Sequence, residues 1–389
     1  MARVLIYSHD SFGLGHIRRC RTIAHALAEA FPKLKVLIVS GSPIIGSFDF
    51  KTRVDFVRVP SIIKLRNGDY VPLDRHGSIQ QMTALRSSLI DDAAEHFSPD
   101  FVIVDKEPLG LRGELEGTLE KLKSRGARLI LGLRDVLDEP DALAKEWERK
   151  RVAPALEQLY DDIWIYGLRQ IYDPLQGLNL SPRVHVKARY TGYLKRSRPS
   201  TPAVALVDDL AKRILVTPGG GGDGEALIDW VLDAYEAHGP SLPPGLIVLG
   251  PFMRAETRVV FEARAAALSL PCEVFEPRME HLMADCRAVV SMGGYNTFCE
   301  ILSFDKRALI VPRHTPRFEQ TIRAEAAERL GLSRWLPEPD ENTHGDPAKM
   351  ADTLRALPSQ SPPSAHPIPG MLDGLENIVA WSRPWLEAA

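Results

Sequence analysis

Ser291-Met292-Gly293-Gly294-Tyr295-Asn296-Thr297-Phe298-Cys299-Glu300 is the stretch on which the fold turns. The apolar run Ala288 to Ser291 at its head reads as a buried strand, and the residues after Gly294 open an amphipathic helix. A glycine-rich turn between strand and helix brings unpaired backbone amides and the positive end of a helix dipole to one point, which is the chemistry of an anion site. Near the start of the chain, Gly13-Leu14-Gly15-His16 stands in the same context, after the apolar run Val4 to Tyr7 and before a helix from about Ile17 to about Ala30. Two such turns predict two Rossmann-like halves facing one cleft.

Outward from these turns, short apolar runs alternate with helix-period segments, the pattern that builds parallel sheets flanked by helices. The first series predicts strands at Val4 to Tyr7, Val36 to Val39, Phe56 to Val59, Phe101 to Val104, Leu129 to Leu133 and Ile163 to Tyr166. Along the first helix, Ile17, Cys20, Ala24, Leu27 and Phe31 keep one apolar face. The second series predicts Ile214 to Thr217, Leu246 to Leu249, Glu273 to Phe275, Ala288 to Ser291 and Ala308 to Val311. Between them Arg196-Ser197-Arg198-Pro199-Ser200-Thr201-Pro202 reads as a linker. Residues 1–196 and 197–370 are therefore predicted as two α/β domains. A terminal helix over 371–389, with Leu372, Leu375, Ile378, Val379, Trp381 and Trp385 apolar, is predicted to pack back on the first.

At 389 residues the chain is too long for one ordinary core. Its 48 Lys and Arg against 51 Asp and Glu, a net charge of -3, leave no basic footprint for nucleic acid and favour a small-molecule substrate. Cys20, Cys272, Cys286 and Cys299 lack metal-ligand spacing and do not form a disulfide framework. The start enters a strand at once, without an apolar segment of signal or membrane-spanning length, so a cytoplasmic protein is expected, with peripheral membrane contact left open.

On spacing alone Glu300 has two readings: Thr297-x-x-Glu300 matches a capping box, and a carboxylate in the first turn of the helix can accept from a ribose diol. Glu319 and Gln320 likewise read as exposed helix residues or as ligands at the C-terminal edge of the sheet, where open parallel sheets bind ligands. His16 reads as a structural histidine or as a general base, since a neutral imidazole titrates near physiological pH. Arg18, Arg19 and Arg21 oppose the dipole of the helix they open; a solvated basic face and an anion site both explain them. Asp105-Lys106-Glu107 and Arg134-Asp135 follow strands and are candidates for substrate contact at that edge.

From Cys272 to Leu330 the order of elements resembles the GT-B glycosyltransferases, in particular the MurG-like members of glycosyltransferase family 28. The resemblance rests on Glu273-Val274-Phe275-Glu276-Pro277, Met279 to Cys286, Val289 to Glu300, Ile310-Val311-Pro312 and Arg317-Phe318-Glu319-Gln320. It implies a hexosyl transfer from a nucleotide diphosphate sugar, most simply a UDP-sugar, to an acceptor hydroxyl with inversion. The donor would be held at its base edge by the backbone around Pro277, Arg278 and Met279, at its ribose by Glu300, at its phosphates by Gly293, Gly294, Asn296 and Thr297, and at its sugar by Glu319 and Gln320. Thr217-Pro218-Gly219-Gly220-Gly221-Gly222-Asp223-Gly224 looks like the family's small-residue loop along the diphosphate, with Asp223 departing from it and read as a helix cap.

In the first domain Phe12-Gly13-Leu14-Gly15-His16 resembles the acceptor-side loop, which implies His16 as base. Gly13, Gly15, Arg18, Arg19, Asp105, Arg134 and Asp135 would line the acceptor. The chain has no Asp-x-Asp motif, so helix dipoles and backbone amides are expected to stabilise the leaving diphosphate with no metal and no cofactor. Same-fold alternatives are a nucleotide-sugar 2-epimerase or hydrolase and a protein that only binds a nucleotide sugar.

Overall fold

Runs such as Val4-Leu5-Ile6-Tyr7 and Phe101-Val102-Ile103-Val104 have no polar face to offer water, and all eight side chains are buried, as in strands covered on both faces. The computed structural model describes residues 1–9, 14–64, 70–72, 78–199, 207–220, 222–339 and 345–387. It divides into Met1–Leu194 with Gly370–Ala389, and Lys195–Pro369.

The first unit holds β1 (Arg3–Ser8), β2 (Lys35–Ser40), β3 (Val54–Arg58), a hairpin of β4 (Ile62–Lys64) and β5 (Tyr70–Pro72), then β6 (Phe101–Asp105), β7 (Arg128–Arg134), β8 (Asp162–Tyr166) and β9 (Ala188–Tyr190). Its sheet runs β3-β2-β1-β6-β7-β8-β9, with every pairing parallel. The helices are α1 (Gly15–Ala30), α2 (Ile79–Phe97), α3 (Glu116–Ser124), α4 (Pro140–Arg149), α5 (Val152–Gln158) and α6 (Pro182–Lys187). The predicted apolar face of α1 is the buried one, with Ile17, Cys20, Ala24 and Leu27 at 1% exposure or less.

The second unit holds β10 (Ile214–Thr217), β11 (Gly245–Val248), β12 (Cys272–Glu273), β13 (Ala288–Ser291), β14 (Ala308–Ile310) and β15 (Arg334–Trp335), with α7 (Glu225–His238), α8 (Ala255–Ala267), α9 (Met279–Asp285), α10 (Tyr295–Ser303), α11 (Glu319–Arg329) and α12 (Pro347–Ala356). Its parallel sheet runs β12-β11-β10-β13-β14-β15. Both sheets thus reverse direction beside their first strand, at β1/β6 and at β10/β13, and the loops leaving those strands flank the switch point where such sheets bind ligands.

Helix α13 (Gly374–Leu386) belongs to the first unit. Asn377 donates to the Thr191 carbonyl at 2.9 Å, Trp381 lies against Trp164 at 6.1 Å between ring centres, and Arg128 sits 4.3 Å from the Trp385 ring. The approach to it needs Gly192 (φ 84°), where a Cβ would lie 2.4 Å from the Gly370 carbonyl.

Candidate active site

At the first switch point α1 begins beside the end of β6. His16 is the second residue of the helix and Asp105 the last of the strand, and the His16 ring hydrogen-bonds through Nδ1 to Asp105 Oδ2. Arg19, one turn on, grips the same carboxylate with Nε at 2.8 Å from Oδ1 and Nη2 at 2.6 Å from Oδ2. Arg19 and Asp105 are each 1% exposed, whereas the His16 side chain keeps 19%.

Burial would push the Asp105 carboxyl up, but the charge of Arg19, with hydrogen bonds from His16 and Arg19, holds it below the usual carboxylate range. An ionised carboxylate only accepts, so Nδ1 carries the ring proton. The 3.2 Å approach of Arg19 Nη2 to Nδ1 is then a contact of charge and not a hydrogen bond. Nε2 is left as the lone-pair nitrogen. Burial lowers the His16 pKa, Asp105 opposes that, and Arg19 and Lys106 add to it, so the ring is held neutral.

The pairing explains one of the cations at the start of α1, Arg19, which answers a buried carboxylate; Arg21 lies elsewhere, 5.3 Å from the Phe48 ring. Asp105, expected as a substrate contact, is spent on His16 and Arg19. Arg18 is half-buried and Gly15 exposed at the helix start, while Gly13 lies outside the described residues. Asp135 is fully buried and accepts from Tyr193 Oη at 2.9 Å, and Arg134 ends β7 partly exposed beside it.

Near His16 stand His9, which the sequence did not mark out, and Glu107, which it did, with Lys150 as its unforeseen partner. His9, 4% exposed, follows β1 and meets the His16 ring edge-on at 5.6 Å; burial drives its pKa well below the ordinary imidazole value. Glu107, 8% exposed, accepts from Lys150 Nζ at 2.7 Å. Behind them Tyr7 Oη donates to Glu114 at 2.6 Å, and Arg86 holds that carboxylate at 2.6 and 2.7 Å. His9 had a readable signal, its place directly after the first strand. Lys150 comes from α4–α5 and had none.

At the second switch point Gly293 takes φ 71°, and a Cβ there would lie 2.6 Å from Ile310 Cγ2, so the turn demands glycine. The turn is clamped from both sides: Gly293 N donates to Ser291 Oγ at 3.2 Å, and fully buried Arg323 donates to the Gly293 carbonyl at 3.0 Å. With Gly294 at the N-cap and Tyr295 as first helical residue, Thr297 is third and Glu300 sixth. That register puts Glu300 beyond the first turn and rules out the capping box. Glu300 is fully buried, and Thr297 is 7% exposed. Asn296, expected at the phosphates, accepts from Arg196 Nη2 at 2.6 Å.

The loop after β10 carries Gly219 at φ 93° and packs backbone to backbone on the loop after β11: a Cβ on Gly250 would lie 2.3 Å from the Gly219 carbonyl, and one on Gly222 2.7 Å from that of Phe252. Gly220 is half-buried, and Gly221 lies outside the described residues. Asp223 is not the helix cap it was expected to be: Gly224 takes the N-cap of α7. The Asp223 carboxylate instead meets Arg313 Nε at 2.5 Å. Arg313 also donates from Nη2 to Glu319 Oε1 at 2.9 Å and from its backbone N–H to Gln320 Oε1 at 3.2 Å. Met279, 9% exposed, opens α9, but the Arg278 N–H expected at a base edge donates to Glu276 at 2.7 Å. Among the described residues no three His, Cys, Asp or Glu side chains gather as a metal site, and no helix is long and apolar enough to cross a membrane.

Two parallel sheets of one strand order, each with a glycine turn at its switch point, give the chain the GT-B fold. No protein-family model matches it. Over 73 residues, 18% of this chain, it is 40% identical to the UDP-N-acetylglucosamine--N-acetylmuramyl-(pentapeptide) pyrophosphoryl-undecaprenol N-acetylglucosamine transferase of Streptococcus pyogenes, a match that spans 20% of that protein's length. The crystal structure of Acinetobacter baumannii MurG aligns over 100% of both chains with a TM-score of 0.57 and 10% identity. Phytolacca americana UGT2, solved with UDP-2fluoro-glucose and pterostilbene, aligns over 100% of this chain and 95% of its own with a TM-score of 0.63 and 12% identity.

Proposed function

We propose that the chain is an inverting glycosyltransferase that moves a hexosyl group from a nucleotide diphosphate sugar, most simply a UDP-sugar, to an acceptor hydroxyl. The observation that carries this reading is the His16–Asp105 pair at the switch point of a GT-B sheet. Asp105 fixes the proton on Nδ1, so Nε2 takes the acceptor's proton as its oxygen attacks the anomeric carbon. The bond from that carbon to the diphosphate breaks, and the charge on the departing oxygen meets the Gly294 amide and the positive end of the α10 dipole. Backbone amides fill the place a divalent cation takes in other transferases, and EDTA should leave the rate unchanged.

Glu300 serves the ribose, and Gln320, whose Oε1 is taken by the Arg313 N–H, offers its amide N–H to a sugar oxygen. Full burial of Glu300 means that a ribose reaches it by displacing what covers it. A cytoplasmic enzyme acting on a small-molecule, glycan or lipid-linked hydroxyl fits the reading. A thermal-shift screen against nucleotides and nucleotide sugars tests it first, since a ligand of the native state raises its stability by mass action. A hit is followed by transfer assays across an acceptor panel. Full transfer by His16→Ala, with normal donor binding by Glu300→Ala, would sink the assignment. Free sugar or an epimer from UDP-N-acetylglucosamine alone would make the chain a hydrolase or epimerase.

A further inference from the structure

Arg313 stands in none of the roles above, yet it joins three parts of the second unit: the glycine loop through Asp223, the start of α11 through Glu319, and Gln320 through its backbone. Its two carboxylate partners are unequal. The Glu319 side chain is 3% exposed and the Asp223 side chain 41%, with Arg313 at 15%. Breaking a buried pair strands a charge away from water, whereas an exposed carboxylate is rehydrated when its partner leaves. Glu319 is therefore the anchor of Arg313 and Asp223 the replaceable partner.

Asp223 has no other use among the described residues. It does not cap α7, and it puts a negative charge in the loop that the donor-site reading lays along a diphosphate. Resting on that reading, we propose that Arg313 is a phosphate ligand of the donor. In the free protein it is occupied by Asp223; when the donor enters, its guanidinium passes from that single carboxylate to the diphosphate oxygens, and Asp223 turns to solvent. With Nη2 held by Glu319 and Nη1 by the carbonyls of Thr315 at 3.1 Å and Arg317 at 3.4 Å, Nε is the nitrogen that changes partner, and of the two anions the more highly charged one wins.

Calorimetric titration of the full chain with UDP and with uridine tests this. In Arg313→Gln the dissociation constant for UDP should rise about tenfold or more, the scale of a charge-assisted hydrogen bond, with that for uridine unmoved. Asp223→Asn removes the competitor and should tighten UDP a few-fold, roughly the worth of an exposed pair. The double variant should bind as weakly as Arg313→Gln. A double variant restored to wild-type affinity would make Arg313 a mere shield for Asp223 and overturn the proposal, as would equal losses for UDP and uridine. Should Arg313→Gln not fold, Asp223→Asn decides alone: unchanged or weakened UDP binding overturns the proposal. Binding of UDP by the wild-type chain with no response to these variants defeats only this inference. A wild-type chain that binds no nucleoside diphosphate defeats the donor-site reading, and this proposal with it.

Discussion

At the switch point of the first sheet the chain presents a side chain, His16, clamped by Asp105 and Arg19. At that of the second it presents backbone, Gly293 and Gly294, clamped by Ser291 and Arg323. Strand order is shared, and each clamp takes one residue from a strand end and one from a helix: Asp105 of β6 with Arg19 of α1, and Ser291 of β13 with Arg323 of α11. What differs is what each presents: a titratable nitrogen in one case, the positive end of a helix in the other. One topology can thus be fitted for proton transfer or for holding an anion by choosing whether the clamp grips a side chain or a carbonyl.

The comparison breaks hardest at His16. His16→Ala should cut transfer by about 10²- to 10⁴-fold, the range for a positioned general base, with donor affinity within about twofold of wild type. Single-turnover rates beside calorimetric donor affinities check this, and a lost donor affinity would move His16 to the anion-binding side. Next comes its clamp. Arg19→Ala leaves the Asp105 carboxylate buried without its guanidinium, which costs about 3–5 kcal/mol of stability in comparable buried pairs. Denaturant melts should show that loss, and a shift below about 1 kcal/mol would mean that water reaches Asp105.

On the second side, Glu300→Gln sharpens the contrast, because a ribose ligand and a purely structural carboxylate predict different readouts. If Glu300 accepts from the ribose diol, the variant should weaken UDP about tenfold or more and 2′-deoxy-UDP much less. Equal weakening of both, with a fall in melting temperature, would leave Glu300 a structural group.

Much of this was legible in the chain. The parallel strands are buried on both faces and read as apolar runs, so Ile214 to Thr217 and Ala288 to Ser291 coincide with β10 and β13. Two-residue β15, with Arg334 exposed and Trp335 half-buried, carries no such run, and the hairpin β4–β5 and short β9 were likewise missed. The Thr297–Glu300 spacing looked like a capping box because spacing does not reveal where the helix starts, and Gly294 starts it earlier. The partners were the least visible part. Arg196 meets Asn296 and Arg313 meets Asp223 only once the chain has folded, since no local period encodes a contact between distant loops. His16 and Asp105 were each picked out by place, at a helix start and a strand end, but that they touch follows from β1 lying beside β6.

The smallest effect, and the one that separates the two units most cleanly, is that of pH. In the first unit burial lowers the pKa of His9 and of His16 below the ordinary value of 6.5 and takes His25 down to about 4. Between those lowered values and 6.5 the unfolded chain binds more protons than the folded one, so stability is complete above about pH 6.5 and falls as the pH drops. Asp105 and Glu107, also held low, add a second loss at more acid pH, below 3.8 and 4.5 respectively. In the second unit burial instead pushes the Cys272 and Cys286 thiols up to about 11 and about 12, and both stay protonated throughout this range. Acid from pH 7.5 to 5.5 should therefore lower the melting temperature by acting on the first unit. His9→Gln, which cannot take up the proton, should flatten that fall. A melting temperature that is unchanged or rises over the interval would mean that the imidazoles are hydrated in the folded chain. The acid limb of the transfer rate would then return to the ordinary histidine value instead of lying below it.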